Sequence, residues 1–206
     1  RSTMPSDPAD ENRRTVDAYD AYAERYAEVT QASHFDSRDE GLDLFAARMK
    51  PGGAVLEVAS GPGWDADVME GRGLTVRRTD LSEGFIAVQA KRGKRVERLD
   101  LTNDDLGGPY DGLVALYVIQ HIARPLVDGV IARMASALAP NGLLLFSFQL
   151  GDGERVETEP TGDYHIVMWP RQDMDAILAR HGFEIVWERT QDGREACWVT
   201  LVARRV

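Results

Sequence analysis

The chain has 206 residues, 43% of them hydrophobic and 28% charged, with a formal net charge of −10. That is enough chain for one domain with a sizeable core. No apolar run is long enough to span a bilayer, and the acidic balance excludes the basic face that a nucleic-acid partner needs.

Arg1 to Met4 reads as a tag remnant, and residues 1–12 as a disordered tail. Residues 13–206 read as the domain itself, opened by helical segments within 13–50. Tyr19, Tyr22, Ala23 and Tyr26 recur at three-to-four spacing, which predicts a helix from Thr15 to Thr30. A second is expected from Arg38 to Met49, broken by Pro51-Gly52-Gly53. Val55, Leu56 and Val58 give a short strand too apolar to be half-exposed, with Glu57 near its end, and it runs into the glycine turn Ser60-Gly61-Pro62-Gly63.

From there strands and helices alternate. Helix Trp64–Gly71, strand Leu74–Thr79, helix Ser82–Arg92 and strand Arg95–Leu99 come first. After a loop from Asp104 to Pro109, strand Gly112–Tyr117, helix Leu126–Leu138, a turn at Pro140-Asn141-Gly142 and strand Leu143–Gln149 follow. Repeated strand–helix units predict an α/β fold with a parallel sheet and right-handed crossovers. Gly151 to Gly162 reads as a long polar loop, then helix Arg171–Arg180. Phe183–Arg189, a turn at Gln191-Asp192-Gly193 and Ala196–Ala203 predict a closing β-hairpin.

A glycine turn at the mouth of a buried strand is where open α/β sheets bind ligands. Gly61, Gly63 and Ala66 satisfy G-x-G-x-x-A, the dinucleotide pattern, so a nicotinamide oxidoreductase is one reading. Glu57, Asp80 and Asp100, however, fall at the ends of three successive strands. Three carboxylates suit a cationic ligand with amine and hydroxyl donors better than a diphosphate. The plainer alternative is that each caps the helix after it. A single cysteine, Cys197, and the lack of a Cys/His cluster predict no disulfide and no metal. With no apolar leader, the expected home is the cytoplasm.

Glu57-Val-Ala-Ser-Gly-Pro-Gly63 resembles the first motif, E/D-x-G-x-G-x-G, of the class I S-adenosylmethionine-dependent methyltransferases. Asp80-Leu81-Ser82 resembles that family's second-strand acid, and Asp100-Leu101 its adenine-proximal pair. Tyr110-Asp111-Gly112-Leu113-Val114 through His121, and Pro140-Asn141-Gly142, match its later motifs, with Ala59 standing where the family has its first glycine. The resemblance implies a Rossmann-like three-layer sandwich: a mostly parallel seven-stranded sheet with an antiparallel last strand. It implies S-adenosylmethionine as cofactor, leaving S-adenosylhomocysteine as product.

The implied roles follow by position. Ser60, Gly61 and Gly63 would pass beside the methionine part, with Glu57 holding that region. Asp80 would take the ribose hydroxyls, Leu81 flank the adenine, Asp100 accept from its amine and Leu101 pack on the ring. Tyr117 and Val118 would line the sulfonium side, and Tyr19 or Tyr26 would lid the cofactor. His121 and His165 are the candidate general bases. Gln149, Tyr164, His165, Trp169 and Arg171 are candidates for the acceptor pocket. The expected activity is methyl transfer to an oxygen or nitrogen of a small molecule, with no nucleic-acid or membrane partner. A descendant that binds the cofactor without methylating is the alternative within the same fold, as another catalyst or as a binding module.

Overall fold

The sheet forms where it does because its central strands are apolar on both faces. The computed structural model describes residues 7–36, 40–193 and 196–206. The chain begins with α1 (Pro8–Asp36) and α2 (Glu40–Ala47), then β1 (Ala54–Glu57), α3 (Trp64–Gly71), β2 (Thr75–Asp80), α4 (Glu83–Lys91) and β3 (Glu97–Arg98). Next come β4 (Tyr110–Ala115), a single 3-10 turn (Ile119–His121), α5 (Arg124–Ala137) and β5 (Leu138–Leu150). The last elements are β6 (Glu154–Glu159), β7 (Gly162–Val167), α6 (Arg171–Arg180), β8 (Phe183–Asp192) and β9 (Cys197–Arg205).

Seven strands form one sheet in the order β3-β2-β1-β4-β5-β9-β8. All pairings from β3 to β5 are parallel, and β9 is antiparallel to both β5 and β8. Neighbouring residues along each central strand enter opposite layers. Leu56, Leu113 and Leu144 join Ile131 and Met134 of α5 and Met174 of α6 on one face. Val55, Val114 and Leu145 join Phe45 of α2 and Met69 of α3 on the other. Each such large side chain contributes about 1.5–3 kcal/mol on full burial. This is the expected α/β sandwich, with one reversed strand.

The strand order turns back on itself between β1 and β4, so the connections leaving these two strands diverge. That switch point opens a crevice at their C-terminal ends, and α1 lies across it, packed on α4 and β7.

Three expectations need correction. Residues 8–12 are helical rather than part of a disordered tail. Asp7 starts the helix: its Oδ1 accepts from the Ala9 amide at 3.0 Å, and its carbonyl accepts from Asp10 and Glu11. Pro8, with no amide to lose, suits the first helical position. The polar stretch after β5 is not a loop but a two-stranded hairpin, β6 with β7, in register Val156↔His165. β6 is mostly exposed, so it carries no apolar alternation to reveal it. Finally, Pro140-Asn141-Gly142 is a bulge within β5, with Asn141 at φ 63, and the register shifts there. Residues 1–4, read as a tag, and the start of the second helix at Arg38 lie outside the described residues.

Candidate functional site

The glycine turn leaves β1 through three residues of left-handed backbone: Ala59 (φ 51), Gly61 (φ 57) and Gly63 (φ 85). Ala59 bears this without glycine's freedom, a strain of order 1–2 kcal/mol. The turn is clamped from beneath by Gln89 of α4. Its Nε2 donates to Ser60 Oγ at 2.9 Å and to the Gly61 carbonyl at 2.8 Å. Its Oε1 accepts from Arg78 at 2.8 Å, and Arg78 pairs with Asp67 and Glu70 of α3. Gly63 is required by this clamp, because a Cβ there would lie 2.3 Å from Gln89 Oε1.

Glu57 sits below the turn, 3% exposed, and accepts the Ser60 hydroxyl at 2.5 Å. Burial, aided by the nearby Asp65 charge, pushes its carboxyl up to about 8. Asp80 ends β2 within the crevice. Its Oδ2 accepts from the Gly61 amide at 2.8 Å and its Oδ1 from the Ser82 amide at 2.8 Å. Burial outweighs these bonds and raises Asp80 to about 6. Ser82 is the N-cap of α4, accepting from the Phe85 amide, and its hydroxyl donates to Asp20 of α1 at 2.5 Å. Asp100 is partly spent locally: Oδ1 takes the Thr102 amide and hydroxyl, and Oδ2 the Asn103 side chain. Against burial, these bonds hold its carboxyl below the usual range.

Beyond β4, Tyr117 also has left-handed backbone (φ 53), held by its amide donating to Ser147 Oγ at 2.7 Å and its carbonyl accepting from Gln120 at 2.8 Å. His121 closes the 3-10 turn. Its Nδ1 lies 2.9 Å from the His165 carbonyl, which can only accept, so Nδ1 carries the proton. Nε2 is then the acceptor for the Tyr19 hydroxyl, 2.9 Å away. Burial pulls the imidazole down to about 4, the His165 bond opposing it. Burial likewise keeps the Tyr19 phenol protonated far above its ordinary range.

Together these segments enclose a cavity of about 330 Å³, within the usual span for small-ligand sites. Val58 to Pro62, Asp80 to Ser82, Leu99 to Leu101 and Leu116 to Val118 form its floor and sides, with His121 and Ile122. Tyr19 and Tyr26 of α1 close it, and Phe85 packs against both rings.

The cavity thus gathers Tyr19, Tyr26, Ser60, Gly61, Asp80, Leu81, Asp100, Leu101, Tyr117, Val118 and His121 from the expected set. Glu57 and Gly63 do not line it; both lie behind the turn and support it. The expected acceptor-pocket residues do not line it either. Tyr164 backs the wall, edge-on to Tyr19 at 4.9 Å. The His165 ring points away, toward Glu154 at 3.0 Å and Glu11 at 3.3 Å. Trp169 is a buried core residue with the Arg124 guanidinium over its ring at 4.4 Å. Arg171 pairs with Asp175 and Glu188, and Gln149 is buried at the end of β5. Four of the five were chosen from the segment leading from the expected loop into the last helix, and Gln149 from the end of strand five; of these only Tyr164 and His165 belong to the hairpin, on β7.

Asn12, Thr15, Val16 and Thr30 of α1, with Asp65, line the cavity without having been expected. The Asp7-Pro8 helix start was the available signal for Asn12, while Thr15, Val16 and Thr30 fall in the helix already expected. Glu11, Glu154 and His165 are also the one group of His and carboxylates among the described residues close enough to share an ion. Arg124, 3.5 Å from Glu154, already supplies a cation there.

The family model for a methyltransferase domain matches residues 20–188. No curated protein matches the chain by sequence. Among solved structures, the DhpI–S-adenosylhomocysteine complex is 20% identical, with a TM-score of 0.74, over 94% of this chain and 96% of that one. The [4+2]-cyclase SpnF is 18% identical at TM-score 0.72, covering 100% of this chain and 99% of its own. The 1,6-didemethyltoxoflavin-N1-methyltransferase of Burkholderia thailandensis is 18% identical at TM-score 0.64, over 100% and 93%. No helix among the described residues is long and apolar enough to cross a membrane. With its sheet order, its clamped glycine turn and a family model spanning most of its length, the chain belongs to the class I S-adenosylmethionine-dependent methyltransferases.

Proposed function

We propose that this chain methylates an oxygen or nitrogen of a small molecule, using S-adenosylmethionine held in the crevice beneath α1. The observation that carries this reading is Asp80. It is a carboxylate raised to about 6 by burial, yet it faces a cavity of ligand size. Its oxygens accept from the Gly61 and Ser82 amides, with a further backbone bond from Leu81, and keep acceptor capacity for a ligand hydroxyl. The donors of a ribose diol fit that acceptor set. Asp100 and Leu101 offer an acceptor and an apolar face for adenine, and Ser60 with Gly61 offers close backbone approach beside the methionine part.

When bound, the cofactor supplies an electrophilic methyl group on a sulfonium. The protein's own contribution is alignment and exclusion of water, with Tyr19 and Tyr26 as the cover. Orientation of two bound reactants supplies about 7–11 kcal/mol of such a barrier. The expected base His121 has its Nδ1 proton held by the His165 carbonyl, and its Nε2 lone pair already accepts from the Tyr19 hydroxyl. His165 itself is the weaker candidate, because its side chain faces two carboxylates away from the crevice.

Calorimetric titration with S-adenosylmethionine and S-adenosylhomocysteine, against NADH and NADPH, tests this. Micromolar binding of the first pair alone is expected, and no binding by a folded chain would overturn the reading. A second reading, a non-methylating reaction in the same crevice, is favoured by the depressed, Tyr19-engaged His121, which is a poor base at neutral pH. Cofactor binding without a methylated product across an acceptor panel would select it.

A further inference from the structure

Tyr117 is one of the few large apolar side chains left exposed, at 50%, although it lines the cavity. An aromatic residue is an expensive choice for left-handed backbone, where glycine or asparagine is the usual occupant. Here that conformation is fixed from both sides, by the buried Ser147 hydroxyl of β5 and by Gln120. Strain held in this way clusters at ligand sites. The ring meets Trp198 of β9 in an edge-to-face pair, centroids 5.0 Å apart at 69°. Its neighbours in the lining are Leu116, Val118 and Ile122, with His121 as the polar group beside them, whereas Asp65, Asp80 and Asp100 stand on the far side. The cavity therefore has a polar end suited to the cofactor and an apolar, aromatic end beyond β4.

Resting on the function proposed above, we infer that the methyl acceptor is a planar aromatic or heteroaromatic molecule that stacks on Tyr117, with Trp198 as the supporting wall. An exposed Tyr117 ring, braced edge-to-face by Trp198 and flanked by apolar side chains, recognises a flat π-face. It offers little to an aliphatic alcohol or amine, whose polar group would find no charged partner there. The attacking atom is also constrained. His121 Nε2 is engaged by Tyr19, so the acceptor brings its own lone pair, on a ring nitrogen or an ionised phenol. That pair forms the new bond to the methyl carbon while the sulfonium–methyl bond breaks and its electrons return to sulfur as a thioether. A ring nitrogen becomes cationic, and a phenolate becomes a neutral ether.

The test uses the full chain and two readouts: S-adenosylmethionine affinity by calorimetry, and S-adenosylhomocysteine release with 2-naphthol, 8-hydroxyquinoline and isoquinoline against cyclohexanol and hexylamine. Turnover is expected with planar members only. Tyr117→Gly relaxes the backbone while removing the ring, so it folds at least as well as the parent. It should raise the acceptor KM tenfold or more while cofactor affinity stays within about twofold. Tyr117→Phe, which restores the ring, should recover the affinity. Cofactor binding with no preference for planar acceptors, or with no turnover of any, would overturn the inference and leave the cofactor site standing. So would a Tyr117→Gly variant that keeps its acceptor KM, or one that loses cofactor affinity by the same factor. Failure to bind S-adenosylmethionine at all would instead remove the underlying function.

Discussion

Two buried carboxylates at neighbouring strand ends respond to pH in ways that separate their roles. Glu57 holds its proton to about 8 in the folded chain but releases it near 4.5 when unfolded. Its contribution to stability is therefore complete below 4.5 and is lost as pH rises through 8, at about 1.4 kcal/mol per pH unit. Glu57→Gln should remove that slope, so chemical denaturation at pH 8 should find the variant more stable than the parent. Equal slopes would place the proton elsewhere. Asp80, raised from 3.8 to about 6, concerns the ligand instead. Hydroxyl donors favour its charged form, so S-adenosylmethionine affinity should climb with pH up to about 6 and then level. Asp80→Asn should flatten that profile and cost about 2 kcal/mol of binding, measured by calorimetry between pH 5 and 8. Both acids were legible in the sequence as strand-end carboxylates. Which of the two faces the cavity was not, because that depends on how the turn after β1 folds over Glu57 and leaves Asp80 in the lining.

At the scale of elements, α3 and α4 act on the glycine turn through one buried side chain. Gln89 of α4 joins Ser60, Gly61 and Arg78, and Arg78 reaches α3 through Asp67 and Glu70. Gln89→Leu keeps the volume and removes the side-chain bonds to Ser60, Gly61 and Arg78. It should weaken cofactor binding about tenfold while far-ultraviolet dichroism stays native, and unchanged affinity would show that the turn holds its own shape. Apolar strands such as Leu143–Gln149 and the capped helix after Ser82 were legible because local pattern and burial agree there. The β6–β7 hairpin was not, since β6 is stabilised by its partner and presents polar residues to solvent. The expected acceptor pocket at Tyr164, His165, Trp169 and Arg171 rested on the segment leading into α6, and none of the four lines the cavity. The early start of α1 was hidden in the same way, inside a run that composition alone reads as tail.

For the whole molecule, the alternation of strands and helices was sufficient to read the parallel sheet, and the terminal hairpin to read its reversed strand. The position of α1 over the crevice came only through the family resemblance, which made Tyr19 or Tyr26 the lid, because nothing local says which face of a fold a leading helix will cross. That crossing joins three parts of the fold at one phenol. Tyr19 bonds His121, packs on Phe85 of α4 and meets Tyr164 of β7, while Asp20 beside it holds the start of α4. For the proposed methyl transfer, these contacts predict that release past α1, not bond-making, is the slow event of each cycle. Rapid mixing of the chain, cofactor and saturating acceptor should yield a burst of about one methylated product per molecule before a slower steady rate. A line with no burst would mean that the helix swings aside faster than methyl is passed.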